Sequence, residues 1–253
     1  MVRGLEIFRD HFRSFADRYV LIGGTACELA MNAAGLEFRA TKDLDIVLRV
    51  EAVDAAFVRA FWIFVRAGGY QVQQQATGGR QRYRFQKPTN PEYPFMLELL
   101  TRRPDTLDLT EGAHLTPIPM NDDVSSLSAI LLDDEYYRFI QNGRKNADGL
   151  TYLGPEHLLP LKARAWLDLT ARAAEGISVD SRDVRKHRND VFRLYRILDP
   201  EFTGDVPANI RRDLRNFVLR MREETIDVRA LGVGVGDRDS ILEELRRIYR
   251  LEI

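Results

Sequence analysis

The chain of 253 residues holds one cysteine, Cys27. An internal disulfide and a multi-cysteine zinc site are therefore excluded, and a reducing, cytoplasmic setting is expected. Lysine is nearly as scarce, with 5 residues against 32 arginines. The four histidines, His11, His114, His157 and His187, stand at no metal-ligand spacing. Long apolar runs are missing as well. Residues 19–22 and 60–65 fall far short of the roughly 20 that span a bilayer, so no membrane partner is expected. The first ten residues carry Arg3, Glu6, Arg9 and Asp10 and do not read as a signal peptide. There is almost no net charge (−1), which argues against wholesale coating of nucleic acid. With 45% hydrophobic and 30% charged residues, the composition is that of a globular protein, not a disordered or fibrous one. A monomer is expected.

The charge is unevenly placed. Residues 1–100 carry +2, 101–159 carry −5, 160–222 carry +5 and 223–253 carry −3. The basic stretch reads either as a solvated helix face or as a local surface for anions or RNA.

Hydrophobic periodicity divides the chain. Residues 5–15 read as a short helix, and 19–22 as a buried strand that ends at Gly23-Gly24. A helix follows over 25–34, then a strand over 43–50, a helix over 53–67, a hairpin over 70–75 and 80–86, and a strand over 94–101. This order implies an α/β (α+β) lobe, a mixed sheet with packed helices. Residues 102–154 are less legible: a proline-rich passage at 116–120, an apolar run at 127–132 and a loop at 143–149. From Pro155 onward helices dominate, over 155–174, 181–198, 208–224 and 239–251. Two domains are expected, 1–154 and a helical 155–253. Gly232-Val233-Gly234-Val235-Gly236 reads as a loop before the last helix, not as a dinucleotide fingerprint.

The chemistry concentrates in Gly23-Gly24-Thr25, Asp43-Leu44-Asp45 and Glu98. Two residues along a strand rise about 6.6 Å with both side chains on one face, so Asp43 and Asp45 project as a carboxylate pair. Their repulsion calls for a cation. Hard oxygen donors in this number suit Mg²⁺, with Mn²⁺ the alternative, and the remaining ligands come from water and substrate phosphate. Glu98 is a charge within the apolar Met96–Leu100 and needs a cation, a proton or a donor; a neighbouring metal would meet that need. Gly23 and Gly24 let backbone N–H groups approach a phosphate at a helix N-terminus, and Thr25 can add a hydroxyl. Together these specify metal-assisted phosphoryl or nucleotidyl transfer.

Further along, Leu158, Leu161, Ala165, Trp166 and Leu169 form an apolar helical stripe with Lys162 inside it. Such a lysine either snorkels past the core edge or faces an anion. Asp190 flanks the stripe of Val184, Val191, Leu194 and Leu198, as a surface ion-pair residue or as a group orienting Lys162 or a substrate. Arg80, Arg82 and Arg84 share one strand face, either as phosphate contacts or as a charged sheet edge. Cys27 reads as a small core residue.

The segments Ile22-Gly23-Gly24-Thr25 and Thr41-Lys42-Asp43-Leu44-Asp45-Ile46 resemble the signature of the polymerase-beta-like nucleotidyltransferase superfamily. The segments 158–166 and 186–194 further resemble the AbiEii/AbiGii-type toxin nucleotidyltransferases. The resemblance implies that Asp43 and Asp45 bind metal and that Lys162 and Asp190 are the family's motif lysine and aspartate. It also implies an NTP substrate, an RNA acceptor such as the 3′ end of tRNA, inhibition of translation, and a separately encoded antitoxin. Thr25 stands where many superfamily members carry serine, and Glu98 as third acid rests on strand order alone. On this reading the active site lies in the cleft between the two lobes. Transfer to a small molecule or protein hydroxyl, or a non-catalytic interaction module on the same fold, are the alternatives.

Overall fold

The computed structural model of the chain describes residues 2–49, 51–77, 80–101, 116–117, 133–234 and 236–252. The expectations at Gly78-Gly79, His114, Val235 and most of 102–132 lie outside them. The chain divides into two compact units, Met1–Asn121 with Arg144–Leu153, and Asp122–Gly143 with Gly154–Ile253.

The first unit is built on a mixed sheet, eight strands among the described residues. These are β1 (Tyr19–Ile22), β2 (Asp43–Leu48), β3 (Gln71–Thr77), β4 (Arg80–Gln86), β5 (Met96–Thr101), β6 (Thr116–Pro117), β7 (Arg144–Ala147) and β8 (Leu150–Leu153). Their order is β6-β3-β4-β5-β2-β1-β8-β7. β2 runs antiparallel to β1 and parallel to β5, and β8 runs parallel to β1. Its helices are α1 (Leu5–Phe12), α2 (Gly23–Ala33) and α3 (Ala55–Gly68). The fold class is the expected one, a mixed sheet with helices followed by a helical region.

One sheet face carries Tyr19, Leu44, Ile46, Tyr83, Phe85, Leu97 and Leu99, all buried. Aromatic rings from α1 and α3 cover it: Phe8 meets Tyr19 edge-on at 5.3 Å, and Phe61 meets Phe85 at 5.3 Å. Edge-to-face pairing suits the ring quadrupoles. The alternation of β2 leaves Asp43 and Asp45 for the opposite face. Cys27 is fully buried, as expected of a small core residue.

Residues 143–149, read from sequence as a loop, contain β7 and the turn into β8. The polar composition of β7 (Arg-Lys-Asn-Ala) belongs to an edge strand paired on one side. Helix α4 (Asp134–Asn142) was not foreseen, and it belongs to the second unit. The chain thus enters the second unit with α4, returns to the sheet with β7 and β8, and leaves the first unit at Gly154, next to the division expected from sequence.

The second unit continues with α5 (Pro155–Ala174), α6 (Ser181–Tyr195), α7 (Ala208–Met221) and α8 (Arg238–Ile248). Pro155 opens α5, where a missing N–H costs nothing. Pro160 lies inside α5 and leaves the carbonyl four residues back, that of Glu156, without its helical partner. The Tyr249 hydroxyl donates to that carbonyl at 2.8 Å. Burial holds the Tyr249 phenol well above its usual pKa, so it stays a donor. The tyrosine repairs the proline defect, and α5 runs on unbroken.

Helix α3 shows how capping links to pH. Asp54 accepts from the Phe57 N–H at 2.8 Å and pairs with Arg18 at 3.1 Å. The Phe57 N–H first, then the Arg18 charge, hold its carboxyl below the usual value. A group held low stabilises the fold above the ordinary carboxylate pKa, near 4, and that contribution is lost as pH falls through the lowered value. Asparagine caps comparably without titrating. In thermal melts the advantage of wild type over Asp54→Asn should therefore shrink as pH drops from about 5 to about 2.5; a constant gap would show that the cap's charge is not linked to folding.

Candidate functional site

Ile22 ends β1 and Gly23 opens α2 directly, two residues before the helix start expected from sequence. Gly23 has φ +66°, a left-handed conformation that favours glycine. A Cβ there would overlap the Asp45 carboxylate. The strand register explains the contact, because Ile22 pairs with Asp45 across β1 and β2. A Cβ on Gly24 would lie 2.5 Å from Thr41 Oγ1 and 3.7 Å from an Arg39 guanidinium nitrogen. Both glycines are thus required by close approach.

Thr25 is fully buried, and its hydroxyl donates to the Asp43 backbone carbonyl at 2.7 Å. It pins the start of α2 to the start of β2. That bond is where the structure places the hydroxyl expected from sequence to reach a phosphate. Asp43 and Asp45 are both half-buried and share one face of β2, the latter against the glycine turn. The structure thus brings together Gly23, Gly24, Thr25, Asp43 and Asp45.

Glu98 stands in register with Asp45 on β5, and Arg84 stands in register with Glu98 on β4. The row Asp45, Glu98, Arg84 therefore crosses three neighbouring strands on one face. The Glu98 carboxylate, 6% exposed, accepts from Arg84 Nε at 3.0 Å and from its terminal nitrogen at 2.7 Å. A buried carboxylate needs a cation, and here a guanidinium provides it. Among the described residues no group of three or more His, Cys, Asp or Glu side chains is arranged to hold a metal. Glu98, the third acid expected from sequence, lies in register beside Asp45 with its carboxylate on Arg84, and Asp43 and Asp45 are the pair that carries the metal reading. Two carboxylates with water and substrate phosphate remain a fitting donor set for Mg²⁺.

Arg39 was not singled out in the sequence. It is half-buried, stacks on Phe38 at 5.1 Å and brings its guanidinium to Gly24. Its signal was a cation four residues before Asp43, visible only once the approach to β2 is known to fold back on the glycine turn. Of the arginines on β4, Arg84 is spoken for by Glu98, and the side chains of Arg80 and Arg82 lie outside the described residues.

Lys162 and Asp190 come together in the second unit. Their side chains are 1% and 0% exposed, with Nζ to Oδ2 at 3.3 Å, and Asp190 also faces Arg193 at 3.3 Å. The apolar stripe of α5 thus contains a buried ion pair, not a lysine snorkelling at the core edge. His187, one turn before Asp190, is also buried.

No protein-family model and no curated protein matches the chain. Among the solved structures similar to it are two described as a nucleotidyltransferase-like protein and a polyadenylate synthase. An antigenic nucleotidyltransferase-like protein from Paracoccidioides brasiliensis is 15% identical over 88% of this chain and 91% of that one, with a TM-score of 0.44. The Megavirus polyadenylate synthase is 14% identical over 87% of this chain and 36% of that one, with a TM-score of 0.41. Likeness of this degree assigns no activity, and the functional reading rests on the residues themselves.

Removing Arg84 strands a buried charge. Arg84→Met should cost about 3 kcal/mol in urea unfolding, the low end for a broken buried pair because Arg84 is 19% exposed. The double variant Arg84→Met/Glu98→Leu should regain most of that loss. A double variant no more stable than the single would show that Glu98 is held by something other than Arg84.

Proposed function

We propose that the chain is a metal-dependent nucleotidyltransferase that moves a nucleoside monophosphate from an NTP to an acceptor hydroxyl. One observation carries this reading: the Asp45 carboxylate lies against the Gly23 turn, with Asp43 beside it on the same strand face. An anion-binding helix start and a carboxylate pair suited to Mg²⁺ thereby meet in one place. Asp43 and Asp45 would hold the metal; when bound, it neutralises charge on the triphosphate and activates the α-phosphorus.

The remaining work falls to this chain's own residues. The Gly23 and Gly24 backbone faces the phosphates, and the Arg39 guanidinium beside Gly24 adds positive charge there. Thr25 keeps the turn and β2 in fixed relation. The acceptor oxygen bonds to the α-phosphorus, the bond to the pyrophosphate oxygen breaks, and the hydroxyl proton passes to solvent. Fixed charge aimed at the developing negative charge supplies most of the rate. Glu98, held by Arg84, stays outside this step. The roles of Lys162 and Asp190 come from the family resemblance; their mutual pairing supports a coupled function.

The finer reading follows the AbiEii/AbiGii resemblance: the acceptor is RNA, with the tRNA 3′ end first, and the chain acts as a toxin countered by a separate antitoxin. The test is incubation with each of the four α-labelled NTPs, Mg²⁺ and pooled tRNA, protein and metabolites. Label should enter RNA, and Asp43→Asn or Asp45→Asn should lower it at least about 100-fold. Label confined to protein or metabolites would overturn the RNA acceptor, and no label in any pool would overturn the transferase reading. Growth arrest on expression should disappear with Asp45→Asn.

A further inference from the structure

Helix α7 exposes Arg211, Arg212, Arg215 and Arg220, with Asn216 and Leu219 among them. Its one carboxylate within 208–221, Asp213, is buried. Many of the chain's arginines sit in ion pairs, among them Arg9, Arg18, Arg84, Arg188 and Arg247. Arg211, Arg212 and Arg215 have no such partner among the described residues. Positions 212, 216 and 219/220 follow one another at helical spacing, so this face forms a continuous stripe with Arg215 at its flank.

Alongside the stripe, α5 and α7 enclose a groove of about 410 Å³ lined by Arg164, Leu167, Asp168, Asn216, Leu219 and Arg220. Its two cations, set beside the carboxylates of Asp168 and Asp213, are held in place. Arg164 donates to Asp213 Oδ2 at 3.0 Å, and the same oxygen accepts from the Tyr136 hydroxyl at 2.9 Å. Arg220 lies over the Trp166 ring at 5.3 Å. Cations fixed before binding lose little freedom when an anion arrives.

We propose that this groove and the arginine stripe of α7 form a docking surface for the sugar–phosphate backbone of an RNA strand. The proposal rests on the reading that the acceptor is RNA, and it adds where that RNA is held. Guanidinium groups suit phosphate contacts. Asp168 and Asn216 offer acceptors within the groove that a 2′-hydroxyl can meet and a deoxyribose cannot. Trp166 is buried beneath Arg220, so the surface exposes no aromatic anchor of the kind that carries protein–protein contacts. A single exposed leucine, Leu219, is too little for a lipid surface.

The test is fluorescence anisotropy of the full chain with a labelled mixed-sequence 20-nucleotide RNA, its DNA counterpart, and labelled poly-glutamate, from 50 to 200 mM salt. Arg211→Ala/Arg212→Ala/Arg215→Ala should weaken RNA binding at least about 10-fold at 50 mM salt. It should also lower the slope of log K against log salt by about 2, from roughly 0.7 per single-strand phosphate contact. Asp168→Ala should narrow the preference for RNA over DNA. Circular dichroism should show the variants folded. Folded triple variant with wild-type RNA affinity would overturn the proposal, and so would poly-glutamate bound as tightly as RNA. Asp45→Asn should keep full RNA affinity while losing nucleotide transfer. Absence of transfer by wild type, with RNA still bound through these arginines, would instead sink the transferase reading and leave this surface standing.

Discussion

Strand β2 can face only one way. It is hydrogen-bonded on both sides, antiparallel to β1 and parallel to β5. Leu44, Ile46 and Leu48 must meet the aromatic layer of α1 and α3. A slip of one residue would turn Asp43 and Asp45 into that layer and the leucines out of it. The register that buries the leucines also sets Asp45 against the Gly23 turn on one side and next to Glu98 on the other. The core's demand for apolar contact thereby fixes the geometry of the carboxylates.

The same logic governs the other buried charges. Glu98, Lys162, Asp190 and Asp213 each lie where water is nearly excluded, and each has its opposite charge close by. Such pairs contribute less to net stability than their Coulomb attraction suggests, because desolvation offsets it. Their effect is orientation. Arg84, Arg164 and Lys162 are long, flexible side chains that become fixed groups once their carboxylates are themselves held by strand or helix.

Much of this was legible in the sequence. β1, the glycine turn, the alternation of β2 and the helices from Pro155 onward all follow from local periodicity and from glycine and proline punctuation. The pairing of Asp43 with Asp45 follows from the two-residue period alone. What escaped was long-range. Arg84 and Glu98 are 14 residues apart and meet only through the β4–β5 register, so the carboxylate that called for a cation could be read from sequence but the identity of that cation could not. Arg39 meets Gly24 only after the approach to β2 folds back. β7 lacked the apolar run that marks a strand, since an edge strand with polar residues needs none. The helix expected over 155–174 contains Pro160, and what lets it run through is visible only in the structure, where Tyr249, distant in sequence, takes over the missing hydrogen bond.

The return of the chain to the sheet at β7 and β8 has a consequence for how the protein is made. Leu21, next to the residue that precedes the glycine turn, pairs with Tyr152, roughly 130 residues later. During synthesis β1 and β2 can join before that partner exists, so the outer side of β1 waits as an open edge until β8 emerges. An open edge of this kind is where strands from other chains add on. Vectorial synthesis therefore leaves the strand that carries the glycine turn exposed for longer than any strand paired within its own neighbourhood.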